Sequence, residues 1–165
     1  MRATLVRRLP VALVVLLVAL VGLSAWLFVQ AQQASSDAEA YDDASAAARA
    51  EVLAFTTLDY RKLDASLDRV VAGATGSFKS DFSKQRKTIT QLTKQNKSVS
   101  KSRVPSAGVV SIDQDSARVI VVADSTVTNA TTKTPQPRHY RMQVDLVLRD
   151  GDWLTSNLEF VNLRQ

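Results

Sequence analysis

Between Arg8 and Asp37 the chain carries no charged side chain, and residues 11–29 are almost wholly apolar. As a helix rising ~1.5 Å per residue, those nineteen residues reach most of the way across a ~30 Å hydrocarbon layer. Thirteen of them are Val, Leu or Phe. At roughly −0.3 to −0.6 kcal/mol each, they contribute on the order of −4 to −8 kcal/mol to insertion, an upper bound because positions near the ends count less. Arg2, Arg7 and Arg8 precede the stretch, whereas Asp37, Glu39, Asp42 and Asp43 all come before the next cation, Arg49. The positive-inside bias therefore leaves residues 1–9 in the cytoplasm, makes 10–30 a single transmembrane helix, and exports the chain beyond it.

A cleaved signal peptide shares the charged start and the apolar run. Two details oppose it: the run exceeds the ~7–15 residues of an ordinary signal core, and residues 30–34 hold no A-x-A cleavage site. The expectation is an uncleaved anchor in the cytoplasmic membrane. No pair of small residues four apart occurs inside it, so nothing in the sequence supports helix association within the bilayer.

Beyond the anchor lie about 130 residues, enough for one domain with its own core. Cysteine is absent, which excludes disulfides, thiolate metal sites and a cysteine nucleophile. The net charge of +5 is unevenly laid out: +3 over residues 1–36, −5 over 37–60, +8 over 61–103 and −1 over 104–165.

Continuing from the span or joined to it at 31–36, a first helix is predicted over about 37–57, where Tyr41, Ala44, Ala48, Val52 and Phe55 recur at helical steps. Asp59 is expected to cap a second over 60–73, striped by Leu63, Leu67, Val70 and Val71 and ended by Gly73. A third, over 77–97, turns Phe78, Phe82, Ile89 and Leu92 inward. The period then drops to two. Strands are expected over 104–112, with Pro105 and Gly108 marking an edge or bulge, and over 117–127, 138–149 and 152–162. Asp113–Ser116 is turn chemistry, and Asp150-Gly151 is a hairpin signal. Helices followed by strands make an α+β domain: three helices packed on a curved, mainly antiparallel four-stranded sheet.

Candidate chemistry is sparse. His139, the one histidine, stands between Arg138 and Arg141 near a strand start, a setting expected to disfavour its protonated form and to offer no carboxylate to orient it, and reads as a surface residue. The pairs Asp113/Asp115 and Asp150/Asp152 are ordinary turn residues, too few for a calcium loop. No catalytic, cofactor-binding or metal-binding residue is assigned, and the expectation is a protein that is not an enzyme. The tract from Lys79 to Arg103 stands out, with eight cations against Asp81 alone. It lacks interleaved stacking aromatics and lies on the exported side, so nucleic acid is not the expected partner. Anionic headgroups or an acidic protein face fit it better, with Lys84, Arg86, Lys87 and Lys94 as candidate contacts. A plain solvated helix face is the competing reading. Arg141, Gln143 and Asp145, on the sheet's outer face, form a second candidate contact surface.

This order of elements, with Phe55–Tyr60, Ala74–Phe78, Ala117–Val121 and the turn Arg149-Asp150-Gly151-Asp152-Trp153-Leu154, resembles the Mce-associated membrane proteins of actinobacteria. More distantly it resembles VirB-type bitopic subunits of secretion systems. The resemblance implies a nuclear-transport-factor-two-like cone and a non-enzymatic accessory role beside an Mce-type lipid importer, through envelope protein partners. A secretion-system subunit, and a carrier or enzyme using the apolar cone, are the alternatives. Whether copies pair is left open.

Overall fold

The computed structural model describes residues 3–132 and 134–161, with side chains described at 20–24, 26–28 and from Ala38 onward apart from Lys133. Three helices, α1 (Ala3–Thr56), α2 (Leu63–Gly73) and α3 (Gly76–Gln95), precede most of the sheet. Its strands are β1 (Leu58–Asp59), β2 (Val99–Ile112), β3 (Ser116–Thr128), β4 (Gln136–Arg149) and β5 (Asp152–Phe160). They pair antiparallel in sequential order, β1-β2-β3-β4-β5. The chain divides into two compact units, residues 1–40 and 41–165.

In the first unit the backbone is helical through 31–36. Leu20, Val21, Leu23, Trp26, Leu27 and Phe28 leave 50–65% of their surface exposed. Among the described residues no helix is long and apolar enough to cross a membrane. The span expected at 10–30 falls largely on residues whose side chains lie outside the described set.

In the second unit, the last turns of α1 cover the inner face of the sheet. Ala44, Ala48 and Val52 are fully buried against Val119, Val121 and Ala123 of β3 and Met142, Val144 and Leu146 of β4. Two alanines one turn apart keep this face of the helix small, and the longer side chains of β3 and β4 pack against it. Fully burying each large side chain contributes roughly 1.5–3 kcal/mol. Tyr41, expected on this stripe, stays 45% exposed. A second cluster joins Leu63, Leu67 and Val70 of α2 to Phe82 of α3. Phe55 belongs to both, and its ring lies 6.2 Å from Phe82 and 6.4 Å from Phe160, tilted pairings that tie helices to sheet. At the end of α3 the buried position is Thr93, while Leu92 remains 53% exposed.

Sequence order hides why β2 begins five residues earlier than expected. Ser-Val-Ser-Lys-Ser reads as loop, yet Ser100 and Ser102 point inward and both donate to the carbonyl oxygen of Thr56, at 2.7 and 2.9 Å. That carbonyl ends α1 and has no partner within the helix. Ser125 completes the cluster, 2.6 Å from Ser100 Oγ and 2.9 Å from Ser102 Oγ. Farther along β2, register shifts at Arg103/Ser106 and Val109/Ser111 are the bulges that Pro105 announces. Only Val99 and Ser100 are covered by β1, so the rest of β2 is a sheet edge. β4 also starts early: Pro137 pairs with Thr126 on one side only, because β5 joins β4 from Met142 onward.

Asp59 does not cap α2. Its Oδ1 accepts from the Arg61 backbone N–H and its carboxylate pairs with the Arg61 guanidinium, while Lys62 occupies the cap position without a side-chain bond. Asp150 and Gly151 take the left-handed conformation, φ 54° and 92°, closing the β4–β5 hairpin as the Asp-Gly pair requires. A hydrogen bond from Leu148 N to Asp115 O (2.8 Å) holds this hairpin beside the β2–β3 turn at one end of the sheet. At the other end, Ala130 N donates to Asn96 O (2.7 Å), joining the β3–β4 loop to the α3–β2 turn. Residue 162, the expected end of the last strand, lies outside the described residues.

Candidate functional site

The cations of α3 do not form one free patch. Lys84 pairs with Asp81 at 3.0 Å, one turn away on the same helix. Arg86 reaches across to α2, 2.6 Å from Asp68 and 3.7 Å from Asp64, and these bonds raise its affinity for its proton. Arg86 is thus a tie between two helices. Lys87 and Lys94 are exposed and, among the described residues, lie in no ion pair. Ser83, Lys84, Arg86, Lys87, Thr90 and Gln91 line a shallow open groove of about 530 Å³. Three of the four candidate contacts share this groove, and Lys94 stands apart near the helix end.

On the outer face of the sheet, two aspartates each gather partners from neighbouring strands. Asp124 of β3 lies between Arg103 of β2 (2.5 Å) and His139 of β4 (2.8 Å from Nδ1). The bond from His139, reinforced by the Arg103 charge, holds the Asp124 carboxyl below the ordinary carboxylate range. His139 therefore does have a carboxylate beside it, contrary to the sequence expectation. The two residues are fifteen apart in the chain but directly opposite in the β3–β4 register. The side chain of His139 is 77% exposed, and the pair is a cross-strand hydrogen bond open to water.

Asp145 of β4 is the second centre. Partial burial disfavours its charge, but hydrogen bonds from Arg118 (2.7 Å) and Asn157 (3.3 Å), with Gln143 at 3.4 Å, outweigh this and leave its carboxyl below the usual range. Of the expected outer-face contacts, Gln143 and Asp145 are thus engaged with each other, and Arg141 is exposed.

The residue that sequence reasoning missed is Glu51. It sits on the buried side of α1, 4% exposed, and its Oε1 has no hydrogen-bond partner. Burial alone pushes its carboxyl up to about 8, so it is protonated near neutrality. Its other oxygen abuts Gly73, the last residue of α2. Gly73 was expected to end the helix through a left-handed conformation, but it remains helical and its missing side chain makes room for Glu51. The signal for Glu51 was present in its spacing: 44, 48, 51 and 55 follow one helical stripe. The carboxyl is thus a buried acid packed between α1 and the end of α2. The turn aspartates Asp113, Asp115, Asp150 and Asp152 are all exposed at the same end of the sheet.

A family model described as "Uncharacterized protein Rv1363c/MT1408-like" matches residues 4–162. The protein described as "Uncharacterized protein Rv1363c", from Mycobacterium tuberculosis (strain ATCC 25618 / H37Rv), is 31% identical over 150 residues. That match covers 91% of this chain and 58% of the relative, so the chain spans little more than half of that protein's length. Among solved structures, an IcmL-like type IV secretion system protein from Legionella pneumophila superposes with a TM-score of 0.59 at 8% identity, covering 73% of this chain and 91% of that one. CagV from Helicobacter pylori strain 26695, described as a VirB8 homolog, gives 0.57 at 10% identity, covering 73% and 97%. At such identities the likeness establishes the fold: an α+β domain with a curled antiparallel sheet, of the nuclear-transport-factor-two-like, VirB8 kind. The expected tie to Mce transporters finds no support in these matches.

Proposed function

This chain belongs to the Rv1363c/MT1408-like family, and from that premise we propose that it is a membrane-anchored, non-catalytic subunit of a multi-protein envelope assembly. Its domain from Tyr41 onward acts on the exported side by docking partners, in the way of a secretion-system bitopic subunit. One observation carries the reading: the inner face of the sheet, where a cone-shaped enzyme or carrier would hold its ligand, is filled. Met142, Val144 and Leu146 are at most 1% exposed and pack onto Ala44, Ala48 and Val52. Chemistry needs an acid or base that reaches a substrate, and Glu51 is buried. What the domain offers to other molecules is its outer surface.

The anchor is supported by the uncharged stretch from residue 9 to residue 36 and by the exposed apolar side chains at Leu20–Leu23 and Trp26–Phe28. Bare apolar side chains in such number are a liability in water and an advantage in lipid. Service to an Mce-type lipid importer has only the short-motif resemblance behind it. The secretion-type reading takes precedence because the solved neighbours share its fold.

The test is cross-linking of the full chain in native membranes, followed by extraction in mild detergent and identification of the cross-linked partners. Recovery of other envelope-assembly subunits supports the proposal, and recovery of Mce components would move it to the lipid importer. A chain that retains one lipid per molecule and cross-links to nothing would replace docking with carriage.

A further inference from the structure

Two groups of exposed charged side chains outside ion pairs, opposite in net sign, gather at the two ends of the sheet. One end gathers the α2 entry, the α3–β2 turn and the β3–β4 loop, because Tyr60 N donates to Ser98 O (3.1 Å) and Ala130 N to Asn96 O. Here Lys62, Lys94, Lys97, Lys101 and Arg138 are all exposed and, among the described residues, have no carboxylate at ion-pair distance. The opposite end, where the β2–β3 and β4–β5 turns are joined through Leu148 and Asp115, carries Asp113, Asp115, Asp150 and Asp152, with Arg149 as a single exposed cation beside them, and so is acidic on balance. These aspartates too are exposed and, among the described residues, unpaired.

The ends cannot neutralise each other within one molecule. β3 spans thirteen residues between them, about 40 Å at ~3.3 Å per residue, whereas charges more than ~10 Å apart are largely screened at 0.1 M salt. Each end also bears one exposed large apolar side chain. Leu92 is 53% exposed near the end of α3, and Val110 is 62% exposed at the second bulge of β2.

We infer that the two ends are complementary halves of one contact between copies of this chain, the basic end of one molecule seating on the acidic end of the next. Five unpaired cations call for a face with a similar number of unpaired carboxylates, and the chain itself supplies one. The contact is head-to-tail, so it closes into a ring or runs on as an open chain of subunits. It is steered by charge and is salt-sensitive.

Charge reversal tests this on the full chain in mild non-ionic detergent, with mass read by sedimentation. One variant carries Lys94→Glu, Lys101→Glu and Arg138→Glu; a second carries Asp113→Lys, Asp115→Lys and Asp152→Lys. Every position is exposed, and Lys97 and Asp150 are left alone because their left-handed backbone is part of a turn. Circular dichroism confirms that both variants keep the fold. The wild type should self-associate at about 50 mM salt and dissociate by about 500 mM, where screening shortens several-fold. Each variant alone should associate at least about tenfold more weakly, and an equimolar mixture of the two should recover the wild-type mass, since one then presents only acidic ends and the other only basic ones. A monomeric wild type at low salt, variants that associate like the wild type, or a mixture that stays monomeric would each overturn the inference. Salt-sensitive binding of the wild type to anionic vesicles without self-association would assign the basic end to lipid instead.

Discussion

The Glu51 carboxyl of α1 rests against the backbone of Gly73 at the end of α2, occupying the space that a side chain at position 73 would need. That contact joins a buried acid to a glycine twenty-two residues away.

Substituting Gly73→Ala should destabilise the domain by ~1–3 kcal/mol, the usual cost of forcing a methyl group into a filled site. In a Glu51→Ala background the same change should cost nothing, or stabilise by up to ~1 kcal/mol, because alanine is the better helix former. Urea unfolding of the four proteins in the cycle measures the coupling directly.

Stability should also depend on pH through Glu51. The folded chain holds this proton up to about pH 8, while the unfolded chain releases it near the ordinary 4.5. Between those values the native state binds more protons, so raising the pH favours unfolding; stability falls across this window and levels off above it. The loss is on the order of a few kcal/mol, bounded above by ~1.4 kcal/mol for each pH unit the window spans. Glu51→Gln removes the titration. The difference between wild type and variant, followed by thermal unfolding from about pH 4 to 9, should grow with pH in the variant's favour.

Asp145 acts with the opposite sign. Its folded carboxyl ionises below the ordinary range, so its contribution is present at neutral pH and disappears as the pH falls through that depressed value. Asp145→Asn should cost ~1 kcal/mol at neutral pH by weakening the bonds to Arg118 and Asn157, and almost nothing in strong acid. Denaturant midpoints under the two conditions check this.

The serine cluster closing α1 gives a fourth expectation. Replacing Ser102 with Ala leaves Thr56 O with the bond from Ser100 alone, and replacing both serines strips that carbonyl of its side-chain donors. The single change should cost ~0.5–1.5 kcal/mol and the double change more than twice as much, because an unsatisfied buried acceptor is penalised beyond the lost bond. Hydrogen exchange at the last turn of α1 should quicken in the double variant.

These residues also mark where the sequence was legible. The alternation of β4 that turns Arg141, Gln143 and Asp145 outward and the Asp150-Gly151 turn are local patterns, and the structure keeps both. The α1 stripe of Ala44, Ala48 and Val52 was equally plain. What escaped notice depends on tertiary neighbours. Ser100 and Ser102 look like loop residues until Thr56 O lies beside them, and Asp124 meets His139 only through the strand register. Gly73 carries the usual mark of a helix terminator, whereas its physical reason is the approach of Glu51. For the candidate contacts, spacing identified the cations but not their partners: Arg86 is occupied by Asp64 and Asp68, while Arg138, outside the basic tract, joins Lys94 at the basic end.

Everything proposed for this chain turns on whether residues 41–161 are displayed outside a membrane that holds the N-terminus, and protease shaving of intact spheroplasts decides it. The chain should sediment with membranes, resist carbonate extraction, and lose its C-terminal domain to external protease while a short N-terminal fragment stays protected. A chain found in the cytosol, or one on membranes whose C-terminal domain is cleaved only after lysis, would refute the proposed topology.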